Sequence, residues 1–279
     1  PQDGRVDRAD LGSQCDLRVS TYPTVTGEKI VLRLFGAAKV PAVGGLGLPE
    51  SAEAELERFL KLSAGLLLLT GPAGSGKTTT IHACLAALAA RGGRHVITVE
   101  DPVERIVPEI MQTEVNEPRG LTFAAAARHL LRQDPQVLVL GEIRDEESAG
   151  IAVRAALTGH LMISTLHAGS CAGVWERLQV LCADHAAALS ALELILNQRL
   201  VRRVCVECSG AGCSQCLHTG YKGRAPVAEW MRIDATVRCD IRARGAAAIQ
   251  PLRPLEASAR ELAGRGVTNS AEVDRLFPQ

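Results

Sequence analysis

A chain of 279 residues with 47% hydrophobic and 22% charged side chains has room for about two globular domains and is too apolar to remain disordered. Its 31 basic and 31 acidic residues cancel and aromatics make up only 3%, which argues against a non-specific nucleic-acid binder or a base-stacking platform. No stretch reaches the roughly 18–20 apolar residues of a membrane helix, nothing reads as a signal peptide, and a start at Pro1 rather than Met reads as a fragment.

Residues 16–35 alternate apolar and polar side chains around Gly27 and predict two strands joined by a turn. Pro41, Gly44, Gly45, Gly47 and Pro49 give residues 36–49 a linker composition. Ser51 offers an N-cap, with Glu53 and Glu55 in the first turn of a helix running to about Leu62. The unbroken apolar run in GLLLLTG predicts a strand buried on both faces of a parallel sheet. A helix from Lys77 to about Ala90, the strand HVITVE, a helix over 122–133, the strand VLVLGE, a helix over 146–158 and the strand LMISTLH follow. This alternation predicts an α/β core. Cysteine and glycine dominate 205–220, and 226–279 reads as short helical stretches. The run Arg199, Arg202 and Arg203 reads as a solvated helix end, with phosphates or acidic lipid as the alternative.

Gly71-Pro72-Ala73-Gly74-Ser75-Gly76-Lys77-Thr78 fits G-x-x-x-x-G-K-[ST] between a buried strand and a helix. The glycines permit a tight loop whose N–H groups point inward, and the helix N-terminus adds partial positive charge. Lys77 supplies a cation to the β- and γ-phosphates, Thr78 a hydroxyl to Mg²⁺, and Thr79 completes the nucleotide-binding set. Hydrolysis also needs a carboxylate to position water. Glu100 and Glu142 end two strands at the edge where open α/β sheets bind ligands. Glu100 is assigned the attacking water and Glu142 the metal side, with the exchange of roles open. His160 and His167 flank LMISTL.

Cys205-x-x-Cys208 and Cys213-x-x-Cys216 form two knuckles whose four thiolates suit a closed structural Zn²⁺ site. A metal-free hairpin or two vicinal disulfides are the alternatives. The other five of the nine cysteines are scattered, which favours a reducing compartment over secretion.

GPAGSGKTTT, VITVEDPVE, VLVLGEIRD and GHLMISTLH, in that order, resemble the Walker A loop, Asp box, Walker B and His box of the ATPases of type II secretion and type IV pilus assembly. DLRVSTYPTVTGEKIVLRLF resembles the end of that family's second N-terminal domain. The resemblance implies an α/β, RecA-like P-loop core with a parallel-rich sheet, a remnant of a preceding α+β domain, a small tetracysteine zinc subdomain and C-terminal helices. Its implied boundaries are 1–40 for the remnant, 41–50 for a linker, 51–204 for the core, 205–225 for the zinc subdomain and 226–279 for the helical end. It implies that Arg18 and Arg33 reach the nucleotide from the N-terminal remnant, that Arg128, Arg132 and Arg144 are interface arginines, and that His160 and His167 sense the γ-phosphate or link the site to the interface. Arg5 is a further candidate. Two departures stand out: the gap SGAG between the cysteine pairs is shorter than is common in the family, and His82 stands where the family often has Tyr.

The implied function is a hexameric motor that hydrolyses ATP with Mg²⁺ and drives pilus or pseudopilus assembly. It would act from the cytoplasm, peripheral to the inner membrane, against an inner-membrane platform protein and a cytoplasmic membrane adaptor, with no nucleic acid. The alternatives are a nucleotide-binding scaffold without catalysis, or a pilus-retraction or DNA-transfer motor. Retraction motors resemble this core but lack the cysteine pairs.

Overall fold

In this computed structural model, residues 2–6, 12, 15–36 and 40–278 are described. The chain divides into two compact units, Pro1–Val40 and Pro41–Gln279. The first holds β1 (Gln2–Val6), β2 (Cys15–Thr24) and β3 (Gly27–Gly36) in an antiparallel sheet of that order. Arg5, Arg18 and Arg33 occupy one cross-strand row. Strand β1 was not anticipated from sequence.

In the second unit the apolar runs become strands because helices cover both faces of the sheet they join. Helix α1 (Glu50–Phe59) leads to β4 (Gly65–Thr70), α2 (Lys77–Arg91), β5 (Val96–Glu100), β6 (Met111–Glu114), α3 (Phe123–Leu130), β7 (Val137–Leu140), α4 (Glu146–Leu157) and β8 (Leu161–Thr165). Every residue of β4, β5, β7 and β8 is buried, as expected for two-sided burial. Then come α5 (Cys171–Leu181), α6 (His185–Ala191), β9 (Leu192–Val204), β10 (Tyr221–Arg232), α7 (Ala235–Arg244), α8 (Leu255–Gly264) and α9 (Ser270–Leu276). The sheet order is β10-β9-β4-β8-β7-β5-β6, parallel except where β10 pairs antiparallel with β9. Among the described residues no helix is long and apolar enough to cross a membrane.

Several local expectations change. Helix α1 begins at Glu50 after Pro49, with no side-chain cap, so Ser51 lies inside it. Asp145 and Ser148 form a capping box that starts α4. The arginine run lies on β9 rather than at a helix end: Arg199 packs over Phe277 at 5.3 Å and Arg202 over Tyr221 at 4.1 Å. The segment from 226 opens on strand rather than helix, because β10 continues to Arg232. Its Pro226 is tolerated because β10 is an edge strand and needs only one ladder.

Candidate nucleotide site and tetracysteine cluster

The parallel strands point their C-terminal ends to one edge, and the connecting loops collect there. After β4 the chain turns through Gly71 at φ 132° and enters α2 through Gly76 at φ 93°. A Cβ at Gly71 would lie 2.2 Å from the Gln198 carbonyl oxygen, and one at Gly76 2.9 Å from Gln198 Nε2. Both positions therefore require glycine for conformation and for space. Lys77 Nζ donates to the carbonyls of Gly71 at 2.7 Å and Pro72 at 3.0 Å, folding back over the loop. Burial pushes its pKa down, and Glu142 opposes that shift. Pro72, Ala73, Gly74, Thr78 and Thr79 are exposed, and Ser75 is buried with no partner for its hydroxyl among the described residues.

A cleft of about 190 Å³ opens beside this loop, lined among others by Lys77, Thr78, His82, Glu100, Glu142, Arg144 and His167. Glu100 is 8% exposed at the end of β5. Its Oε1 accepts from Thr98 Oγ1 at 2.7 Å and from Gln112 Nε2 at 2.9 Å, and His82 Nε2 stands 3.7 Å from Oε2. Burial pushes this carboxyl up, but the nearby His82 imidazole and the hydrogen bonds from Thr98 and Gln112 together outweigh burial and hold it below its ordinary range. The carboxylate is thus ionised yet withdrawn from bulk water. Glu142, just past β7, accepts from Arg144 Nε at 2.9 Å through Oε2, and its Oε1 lies 2.7 Å from His167 Nε2. Arg144 also reaches Asp101 Oδ2 at 3.3 Å and packs over Phe123 at 5.4 Å. Its bond to Glu142 raises its pKa further.

The fold therefore brings Lys77, Thr78, Glu100, Glu142, Arg144 and His167 to one cleft. It does not bring His160 there. Register pairs Leu161 with Gly65, the start of β4, so His160 stands at the opposite edge of the sheet. Its Nδ1 lies 3.0 Å from the Ala155 carbonyl. His160 therefore does not line the cleft of its own subunit. Arg128 is exposed and pairs with Glu147 at 2.5 Å, and Arg132 is exposed beyond α3; neither lines the cleft. Arg18 and Arg33 belong to the other compact unit, where they are register partners, Arg33 exposed and Arg18 partly buried. Thr98 and Gln112 were missed from sequence. Two-residue periodicity in VITVE places Thr98 on the face of Glu100, a signal that was available; Gln112 comes from the unanticipated β6.

At the far end of β9 the four cysteine sulfurs lie within 4.8 Å of one another. Sγ separations are 3.9 Å for Cys205–Cys213, 3.8 Å for Cys208–Cys216 and 3.8 Å for Cys213–Cys216. Zinc–sulfur bonds of about 2.3 Å in a tetrahedron require edges of about 3.8 Å, so the donor set fits Zn²⁺. Backbone N–H groups of Gly212 and Cys213 donate to Cys208 Sγ and Cys216 Sγ, each at 3.2 Å. None of the four is disulfide-bonded, which removes the vicinal-disulfide alternative. The four-residue gap closes through a turn in which Ala211 N donates to the Cys208 carbonyl at 2.9 Å.

A family model described as Type II/IV secretion system protein matches residues 1–275. Type II secretion system protein E of Klebsiella pneumoniae is 39% identical over 310 residues, covering 100% of this chain and 62% of its own length. The type IV pilus assembly ATPase PilB of Thermus thermophilus is 41% identical over 266 residues, covering 85% of this chain and 30% of its own. Among solved structures, the pilus retraction motor PilT with bound ADP superposes with a TM-score of 0.80 at 26% identity, over 100% of this chain and 78% of that one. The chain spans 52% to 62% of the length of the first type II secretion relatives it matches.

Proposed function

We propose that this chain, which belongs to the Type II/IV secretion system protein family, is the catalytic part of a hexameric motor that hydrolyses ATP to drive assembly of a pseudopilus or pilus. The observation that carries this reading is the meeting of the loop cation Lys77 with two separately held carboxylates, Glu100 and Glu142, in one cleft. A binding scaffold needs the cation and the loop amides but has no use for a buried, ionised carboxylate facing them.

In this reading Gly71 to Thr79 wrap the phosphates, and Lys77 exchanges its two carbonyl partners for phosphate oxygens. The hydroxyl of Thr78 and the carboxylate of Glu142 are hard oxygen donors that suit Mg²⁺, which when bound offsets the charge of the β- and γ-phosphates. Glu100, kept anionic by its donors, orients the attacking water. His167 and Arg144 fix the two oxygens of Glu142. Arg128 and Arg132 face a neighbouring subunit. The cysteine cluster holds one structural Zn²⁺. The motor works in the cytoplasm at the inner membrane, against a platform protein and an adaptor.

Assembly is favoured over retraction because the type II secretion E and PilB relatives are 39% and 41% identical, against 26% for the retraction motor. The test is the pair Glu100→Gln and Glu142→Gln on the assembled hexamer. Both should bind ATP and lose hydrolysis by roughly 100-fold or more, and only Glu142→Gln should raise the Mg²⁺ concentration needed. Turnover of Glu100→Gln equal to wild type would sink the reading.

A further inference from the structure

Two neighbouring residues of β9, Asn197 and Gln198, are 1% and 2% exposed, and neither belongs to a recognised motif of the cleft. Successive side chains of a strand point to opposite faces. Gln198 reaches the phosphate loop: its Nε2 donates to the Ser75 carbonyl at 2.8 Å, and its Oε1 accepts from Thr80 Oγ1 at 2.9 Å. Its own backbone carbonyl is what a Cβ at Gly71 would strike. One glutamine thus touches the start, the middle and the helical exit of the loop.

Asn197 serves the opposite face. It is the register partner of Thr70 on β4. Together these two grip the segment that carries His167. Thr70 Oγ1 donates to the Ala168 carbonyl at 2.8 Å and accepts from the Ala168 N–H at 3.0 Å. Asn197 Nδ2 donates to the Gly169 carbonyl at 3.0 Å and to Glu229 Oε1 at 3.0 Å. Glu229, on β10, also accepts from the N–H of Cys171 at 2.9 Å, which opens α5, and through Oε2 from the N–H of Leu255 at 3.2 Å, which opens α8. A buried carboxylate is stable there because two helix N-termini and an amide supply its donors.

Resting on the ATPase reading above, we infer that Asn197 and Gln198 are positioning residues with divided tasks. Gln198 sets the phosphate loop and so governs nucleotide affinity. Asn197, braced by Glu229, sets the His167 segment and so governs the hydrolytic step, because His167 holds Glu142 Oε1 at 2.7 Å. Since both sit on one strand, a shift of β9 moves the loop that grips the phosphates and the loop that orders the carboxylate as one body.

The division is tested by the full chain, zinc-loaded and assembled, with Mg·ATP as the probe. Gln198→Met should raise Kd for Mg·ATP tenfold or more and leave kcat within about twofold. Asn197→Leu should lower kcat tenfold or more and leave Kd within about twofold. If either variant fails to fold, Thr80→Val and Thr70→Val remove one partner from the same two grips and should reproduce the same split with smaller factors. Equal changes in Kd and kcat for both residues would mean that they only stabilise the sheet, and wild-type values in both would mean that they hold nothing; either result overturns the inference. Wild-type protein that binds Mg·ATP without hydrolysing it would instead overturn the ATPase reading, and the affinity half of the split would still be measurable.

Discussion

The nucleotide cleft draws Lys77 from the start of α2 and Glu100, Glu142 and His167 from the ends of separate strands, whereas the cysteine cluster draws its four sulfurs from one short stretch between Cys205 and Cys216. The cleft is held by β4, β5, β7 and β8, which are wholly buried, and Glu100 and Glu142 already have donors: Thr98 and Gln112 for Glu100, Arg144 for Glu142. The cluster's sulfurs meet one another, the backbone N–H groups of Gly212 and Cys213 and the carbonyl of Cys213. Four thiolates so close repel one another unless a cation sits among them. The cleft is therefore shaped by its own residues, while a cation among the four sulfurs would be needed to hold them together as thiolates. Losses in the cleft should change chemistry without changing the fold, and losses in the cluster should do the reverse.

The largest effect expected from that contrast is Lys77→Ala. Removing the cation from the phosphate site should lower ATP turnover roughly 100- to 1,000-fold, while zinc content and thermal unfolding stay as in wild type. Mg²⁺-dependent phosphate release by the assembled protein is the measurement. A variant that loses zinc or melts early would break the contrast, because the cleft would then be supporting the fold.

The reciprocal experiment is on the cluster. The protein purified under reducing conditions without chelator should contain about one Zn²⁺ per chain. Cys208→Ser together with Cys213→Ser should remove it and expose residues 200–225 to protease, because so small a segment cannot bury enough apolar surface to hold itself. ATP should still bind, since Lys77 and its loop are braced by β4 and β9 upstream of the knuckle. Zinc content near zero in wild type, with four titratable thiols, would overturn the zinc assignment.

How far each region could be read from sequence follows the same division. Local patterns carried their information in spacing: the phosphate loop, the two CxxC pairs and the buried runs of β4, β5, β7 and β8. Glu100 and Glu142 were legible because they end apolar runs that had to be neighbouring parallel strands. Strands β9 and β10 were not, because LELILNQRLVRRV mixes apolar, amide and basic residues without a clean period of two. Its residues face different environments: a partner strand, the phosphate loop, the His167 segment and the C-terminal helices. Charge in such a strand looked like a solvated helix end, when Arg199 covers Phe277 and Arg202 covers Tyr221 and pairs with the carboxylate of Glu272. His160 and His167 stand before and after one strand, as their flanking of LMISTL implied, so the length of β8 separates them, and of the two it is His167 that lines the cleft.

The smallest expected effect lies between the two regions, at Glu272. This residue of α9 is fully buried, and it accepts from Arg202 N at 3.0 Å, Arg202 Nε at 2.8 Å and both Arg275 Nε and a terminal guanidinium nitrogen at 2.8 Å. Burial pushes its pKa up, but Arg275 and Arg202 outweigh burial and hold it at about 2, against an ordinary value of 4.5. A folded-state value below the unfolded one means that the stabilisation is complete above about pH 4.5 and is lost as pH falls toward 2. The shift corresponds to about 3 kcal/mol at most. Arg202 lies three residues before Cys205, so this pairing anchors α9 to the base of the knuckle. Glu272→Gln should therefore melt below wild type at neutral pH, and the gap should narrow steadily as the pH falls from 5 to 2.5. Wild type and Glu272→Gln both release zinc in the same interval, since thiols protonate there, so the gap between the two melting curves, rather than either curve alone, carries the test. A gap between the two proteins that stays constant across that interval would show that the carboxylate acts through packing alone and that its charge pairing with Arg202 and Arg275 contributes nothing.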